Sequence, residues 1–244
     1  MHRFFLIDSP IHATQPVDLT PLAYQLNKVL RLSTGTEIVV LDNQGNEYGV
    51  RISVLQAKYA RGEVLTARRN NAEPVNSLTL YQCSLKADKF EWVLQKGTEL
   101  GVTTFVPVIS QRSIVRPAAA LLKKYERWQT IVREAAEQCG RGRIPRLLEP
   151  LDWEAAVSQA EGVRLLPWEE EQTVAPLLSS AALQSLIQAA PAVSLLIGPE
   201  GGIAPEEASA AQSAGWQTVS LGPRILRAET AALASVVMVT SAAG

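Results

Sequence analysis

The 244 residues are 47% hydrophobic and 19% charged with a net charge of −1, which excludes a disordered or fibrous chain. Two cysteines (Cys83, Cys139) without paired spacing and two histidines near the start (His2, His12) leave little material for a disulfide framework, a zinc site or a Ser-His triad, so no metal is expected. The first apolar run, Phe4 to Ile7, is too short for a signal sequence or a membrane span, so a cytoplasmic protein without a membrane partner is expected. Charge is spread unevenly. Residues 111–146 hold nine Lys/Arg against three acids, whereas residues 147–244 hold three Arg against eleven acids. Such asymmetry suits one surface built for a polyanion beside a part that is not, or else a solvated basic helix.

Residues 1–72 read as a small β-barrel. Glu37 to Leu41 and Glu47 to Leu55 are strands joined by the polar turn Asp42-Asn43-Gln44-Gly45-Asn46, and Arg61 to Ala67 is a third. A helix over Pro21 to Leu32 turns Leu22, Leu26, Val29 and Leu30 to one side. Arg68 to Pro74 is a polar, proline-ended linker.

From residue 73 to 244 strands alternate with helices, the pattern of an α/β sheet. Leu78 to Leu85 is a strand, and Asp88-Lys89-Phe90-Glu91 has the form of a capping box opening a helix that runs to Leu100. Val102 to Ile109 is the next strand. A single helix follows from about Ala119 to Cys139, with Leu121, Leu122, Tyr125 and Trp128 on its apolar stripe; Trp128 at that spacing is core. A helix near Trp153, the strand Val163 to Leu166, a helix from about Val174 to Ala189, strands Val193 to Ile197 and Thr218 to Leu221, and a helix from about Glu229 complete the chain.

The last two strands each break into a Gly/Pro turn. Two such loops at neighbouring strand ends stand where open α/β sheets bind ligands. No phosphate-binding glycine spacing is present, and Pro205-Glu206-Glu207 opens the helix after Gly202 with two carboxylates that would repel a pyrophosphate. A ligand without phosphate, held by backbone groups, suits these loops; S-adenosylmethionine, with its sulfonium cation, meets that description. Alternatively, the glycines serve only tight turns. Arg224 and Arg227 either form a surface pair or face a polyanion or developing negative charge, with Glu229 orienting one of them or serving the helix terminus. Glu200 either caps loop amides or touches substrate.

The segments Ile197-Gly198-Pro199-Glu200-Gly201-Gly202 and Leu221 to Ala231 (LGPRILRAETA) resemble the SPOUT-class ribosomal RNA small-subunit methyltransferase E family, the 16S rRNA uridine N3-methyltransferases. Further matches are His2 to Phe5, Lys28 to Leu32, Gln95 to Val102, Ser110 to Ser113 and Glu137 to Arg141. The resemblance implies a SPOUT-type α/β knot (a deep C-terminal trefoil knot in a parallel sheet flanked by helices), an N-terminal PUA-like RNA-binding barrel and a homodimer. It also implies S-adenosylmethionine held by Leu166 and Pro167, by Ile197, Gly198, Pro199, Gly201 and Gly202, and by Leu221, Gly222, Ile225 and Leu226. The implied partner is 16S rRNA in the small ribosomal subunit, contacted through Arg3, Lys28, Arg31, Arg112, Arg141 and Arg143. For the chemistry, Arg227 or Arg224 would donate to the carbonyl oxygens of a uracil anion, with Glu229 or Glu200 fixing its position. Gln111 stands where the family has Glu, so that side chain receives no catalytic role. The alternatives are a methyltransferase of the same fold acting on a ribose 2′-hydroxyl or a tRNA base, and a non-catalytic RNA-binding protein. A nucleotide-dependent oxidoreductase is disfavoured by the missing glycine spacing.

Overall fold

The computed structural model describes residues 1–7, 9–171 and 180–243. The chain falls into two units, Met1–Glu73 with Ala136–Ile144, and Pro74–Ala135 with Pro145–Gly244.

In the first unit, alternating residues build β1 (Arg3–Phe5), β2 (Val17–Asp18), β3 (Glu37–Leu41), β4 (Asn46–Leu55) and β5 (Ala60–Arg69), in the order β1-β3-β4-β5-β2. The path is antiparallel except for the parallel β1–β3 pair. Inward residues such as Phe4, Leu26, Ile38, Val40, Val50 and Ile52 share one core. Each such apolar side chain contributes about 1.5–3 kcal/mol relative to exposure. The β3–β4 turn is held by Asp42, whose Oδ1 accepts from the amides of Gln44 (2.8 Å) and Asn46 (3.0 Å). The expected helix over 21–32 is instead a 3-10 turn, Thr20–Leu22, and a π-turn, Gln25–Val29. The wider turn, with the Leu30 amide donating to the Gln25 carbonyl, carries Val29 off the inward face and leaves it 61% exposed. Residues 136–144 complete this unit: Ala136 and Ile144 pack with Phe5, Val39 and Leu41, and the Phe5 amide donates to Glu137 Oε1 at 2.9 Å.

The second unit is a parallel sheet flanked by helices. Its strands are β6 (Ser77–Cys83), β7 (Thr104–Ile109), β8 (Arg146–Leu147), β9 (Leu151–Asp152), β10 (Val163–Pro167), β11 (Ala192–Ile197) and β12 (Gln217–Val219). They run β12-β10-β11-β6-β7-β8, with β9 also on β7. The helices are α1 (Ala87–Glu99), α2 (Ala118–Leu122), α3 (Tyr125–Cys139), α4 (Trp153–Gln159), α5 (Ala181–Ala189), α6 (Pro205–Ser213) and α7 (Ala228–Ala243). Burial on both faces explains the nearly continuous apolar strands. Tyr81, Cys83, Val106, Val108, Leu166 and Leu196 meet Trp153 and Val157 of α4 and Ala208 and Ala211 of α6. α1 and α5 each pack on α7, which also packs on β11. Gly97 lets α1 approach Phe105, whose ring lies 2.8 Å from where a Cβ would stand.

Three expectations need correction here. Asp88 does not cap α1: it lies in the first turn, after Lys86. The reach-back role of a capping box falls to a distant carboxylate, since Glu200 Oε1 accepts from the Lys86 amide at 3.2 Å, and Glu91 pairs with Arg127 at 2.7 Å instead. The single helix over 119–139 splits into α2 and α3, the Lys124 amide bonding the Leu121 carbonyl in a tighter turn, and Leu122 is 44% exposed. The two Gly/Pro loops are not on neighbouring strands, because β10 lies between β11 and β12. Of the helix expected from Val174, residues 174–179 lie outside the described residues; α5 begins after Ser180, whose Oγ accepts from the Leu183 amide at 3.3 Å. Trp128 is core, as its spacing predicts, 4.4 Å from the Phe90 ring. Among the described residues, no helix is long and apolar enough to cross a membrane.

Candidate functional site

The loops leaving the carboxyl ends of β10 and β12 enclose a crevice of about 490 Å3. Pro167, Trp168, Glu169 and Glu171 line one side; Ser220 to Leu226 and Ala231 line the other. The β10 loop is anchored to β12 twice. The Trp168 amide donates to the Val219 carbonyl at 3.1 Å, and the Thr218 hydroxyl donates to Glu171 Oε2 at 2.6 Å. Gly222 has φ +102 with open space around its Cβ position, so it is the backbone angle that calls for glycine. The Trp168 indole N–H is buried without an acceptor among the described residues.

Pro167, Leu221, Gly222, Ile225 and Leu226 therefore stand together at the crevice, with Leu166 fully buried beneath them. Ile197, Gly198, Pro199, Gly201 and Gly202 do not line it. Their loop turns on itself, the Gly202 amide donating to the Pro199 carbonyl at 3.0 Å. Gly198 admits Ile203 closely, at 2.7 Å from a Cβ position, and Glu169 Oε1 lies 2.1 Å from where a Cβ on Gly202 would stand. Glu169 thus touches the β11 loop and lines the crevice. The segment 168–171, weakly patterned in sequence, occupies the middle of the site because β10 occupies the middle of the three strands.

Lys89 was also missed. Its Nζ lies 3.7 Å from Glu200 Oε1 and 3.4 Å from Glu229 Oε2. Glu200 Oε2 and Glu229 Oε2 are buried and accept no hydrogen bond from a described residue, so Lys89 meets Glu229 through charge rather than an aligned bond. One ammonium therefore serves two carboxylates, one on the β11 loop and one in the first turn of α7. No local signal could have found it, because both partners of Lys89 lie far along the chain, on the β11 loop and on α7.

Arg224 lines the crevice, and Arg227 precedes α7, its carbonyl accepting from the Ala231 amide at 2.8 Å. Both side chains are exposed, and neither is paired with a carboxylate among the described residues. Glu207, only 8% exposed, accepts from the Gln111 amide at 2.7 Å and from the Ala204 amide at 3.2 Å; Gln111 contributes its backbone here. Cys83, fully buried, has its thiol pushed up to about 12 by that burial and is a packing residue. Arg112 is exposed and donates to the Gly201 carbonyl at 3.3 Å. In the first unit Arg3, Lys28, Arg31 and Arg143 are exposed. Arg141 is not available to RNA phosphate: it is 3% exposed and holds Glu73 through Nη2 at 2.8 Å.

Residues 71–240 match the RNA methyltransferase domain family. The chain is 36% identical to ribosomal RNA small subunit methyltransferase E of Synechocystis sp. over 91% of its own length and 71% of the relative's. It is 31% identical to the protein of that name from Mesomycoplasma hyopneumoniae, covering 96% of each chain. The chain belongs to the ribosomal RNA small subunit methyltransferase E family. The Neisseria gonorrhoeae family member, solved bound to S-adenosyl methionine, superposes with a TM-score of 0.86 at 34% identity, covering 99% of this chain and 97% of that one. A methyltransferase from Legionella pneumophila, solved with the bound cofactor, gives a TM-score of 0.86 at 28% identity, over 98% and 97% of the two chains.

Proposed function

We propose that this chain transfers the methyl group of S-adenosylmethionine to N3 of a uridine in 16S rRNA of the small ribosomal subunit. The observation that carries this reading is the crevice between the β10 and β12 loops, in a chain whose relative of the same fold was solved with that cofactor. The lining fits: backbone of 220–226, apolar Pro167, Leu221 and Leu226, and the carboxylates Glu169 and Glu171 beside one arginine suit a ligand that carries positive charge and no phosphate. When bound, S-adenosylmethionine supplies an electrophilic methyl group on a sulfonium.

The chain's own residues must make uracil N3 nucleophilic. As the N3 proton passes to solvent, negative charge spreads from N3 to the two flanking carbonyl oxygens; it is consumed when N3 takes the methyl and the sulfonium S–C bond breaks, leaving a neutral thioether. Arg227, or Arg224, donates to those oxygens; a donor so aimed is worth about 2.7–4 kcal/mol. Lys89 holds Glu200 and Glu229 and so fixes the start of α7, the element that positions Arg227. Holding the base in line with the methyl contributes further, up to about 7–11 kcal/mol in the best intramolecular cases.

Residues 1–72 serve as a PUA-like RNA-binding domain and residues 73–244 as a SPOUT domain with its trefoil knot, working as a homodimer in the cytoplasm. The dimer reading is supported by α7, which after Glu229 carries no charged residue and yet leaves Val237 44% exposed, next to α5 with Leu186 at 42%. A helix apolar on all sides calls for cover on all sides. Calorimetry with S-adenosylmethionine and nucleoside analysis of 16S rRNA from a deletion strain test the proposal. Binding heat together with loss of N3-methyluridine is expected. Absence of heat overturns the enzyme reading, and loss of a ribose methyl instead moves the target to a hydroxyl.

A further inference from the structure

In the first unit, two guanidinium groups from distant parts of the sequence meet over the β3–β4 turn. Arg69 Nη1, at the end of β5, donates to the Gln44 carbonyl at 3.2 Å and to Asn46 Oδ1 at 3.1 Å. Arg143 Nη2 donates to the same Gln44 carbonyl at 3.2 Å. Both groups come within 3.6 Å of the point where a Cβ on Gly45 would stand. The meeting is built by packing. The Gly45 amide donates to the Gly142 carbonyl at 3.2 Å, and the Ile144 amide donates to Asn43 Oδ1 at 2.8 Å. Gly142 has no room for a side chain, since its Cβ would lie 2.7 Å from the Asn70 Cβ.

The nearby carboxylates are committed elsewhere. Asp42 accepts from Gln44 and Asn46, Glu47 from Arg68 and Asn70, and Glu73 from the Arg141 side chain and the Arg143 amide. Two exposed cations therefore share a neutral acceptor, with no carboxylate bonded to either among the described residues. Each guanidinium has five N–H donors in a planar fork, and the bonds above use few of them. Like charges so placed attract an anion that can bridge them, and the fork geometry matches phosphate oxygens.

We propose that Arg69 and Arg143 form a clamp for one phosphodiester group of the RNA substrate. This rests on the RNA reading above and deepens it. Arg143 keeps the RNA role expected of it, Arg69 joins it, and Arg141 is the buried residue that secures the segment carrying Arg143.

The test is binding of protein-free 16S rRNA by wild type, R69A, R143A, R69A/R143A and R69K/R143K across a salt series, with S-adenosylmethionine affinity as the check on folding. Because the two residues share one phosphate, the double alanine variant loses about tenfold in affinity at 0.1 M salt, and its log–log salt slope falls by about one. Each single variant loses most of that. R69K/R143K, which keeps the charge and loses the fork, is also weakened, whereas R51A, which removes an arginine paired with Glu37 at 2.8 Å, is not. Additive single losses with a slope change of about two, or full retention by the lysine variant, overturn the clamp in favour of independent surface charges. A wild-type protein that binds no RNA at any salt overturns the RNA reading itself.

Discussion

The two units carry opposite imbalances of charge. In the second, two carboxylates on different elements, Glu200 and Glu229, share the single ammonium of Lys89. In the first, two arginines share a neutral carbonyl while every nearby carboxylate is engaged. Neither arrangement follows from total composition, which is nearly neutral. The imbalance shows what each unit lacks. The crevice of the second, with Glu169 and Glu171 in its wall, suits the cationic ligand proposed for it, and the paired arginines of the first suit the proposed phosphate.

Each half of this contrast can be broken separately. The largest effect is expected from Arg227→Ala, which should lower turnover about 10²–10³-fold while leaving S-adenosylmethionine affinity in place. Equal loss of both in calorimetry and steady-state kinetics would remove the arginine from its role. Arg141→Met should act on the first unit alone. Leaving half-buried Glu73 without its cation costs about 3 kcal/mol. The melting temperature of that unit should then drop by about 12–24 °C. Unchanged melting would show that this pair is not what secures residues 136–144.

Lys89→Met leaves two partly buried carboxylates facing each other. Discounted for their partial exposure, the loss is about 1–2 kcal/mol. It should appear as a melting temperature lower by roughly 2–8 °C and as reduced turnover with S-adenosylmethionine affinity kept, both restored by Lys89→Arg. Gly222→Ala imposes a side chain at φ +102 and should weaken cofactor binding by about 1–2 kcal/mol without altering RNA affinity. Loss of RNA affinity instead would break the separation of the two units' roles. The smallest effect concerns pH. Burial raises the Asp42 carboxyl, but hydrogen bonds from Asn46, Gln44 and Tyr48 outweigh it and hold the group below 3.8. A lowered folded value stabilises above the unfolded pKa and is lost as pH falls through the folded one. Asp42→Asn should therefore flatten the decline in stability below about pH 4 seen by acid denaturation.

Much of the fold is legible in the sequence because its signals are local. The hairpin over 37–55 follows from alternation around a polar turn, and the strands of the second unit from apolar runs bounded by Gly and Pro. The helix boundaries went astray where a distant group intervened. Asp88 is not a cap because α1 opens before it, after Lys86, whose amide donates to the distant Glu200. A local cause acts over 20–29, where a 3-10 turn and a π-turn replace one continuous α-helix and rotate Val29 to solvent.

The candidate site was legible only in part, for the same reason. The sequence by itself determined that two Gly/Pro loops leave late strands and that basic residues concentrate before residue 147; it suggested backbone over Leu221 to Leu226 as a place for a phosphate-free ligand. Only the tertiary structure decided that β10 stands between β11 and β12, which places Trp168 and Glu169 between the two loops. It alone decided that Arg141 is buried while Arg143 meets Arg69, and that Lys89 joins Glu200 to Glu229. Periodicity reports which way a residue faces within its own element. Which elements become neighbours is settled by the packing of whole faces, where contacts between residues far apart in the chain outweigh any local preference.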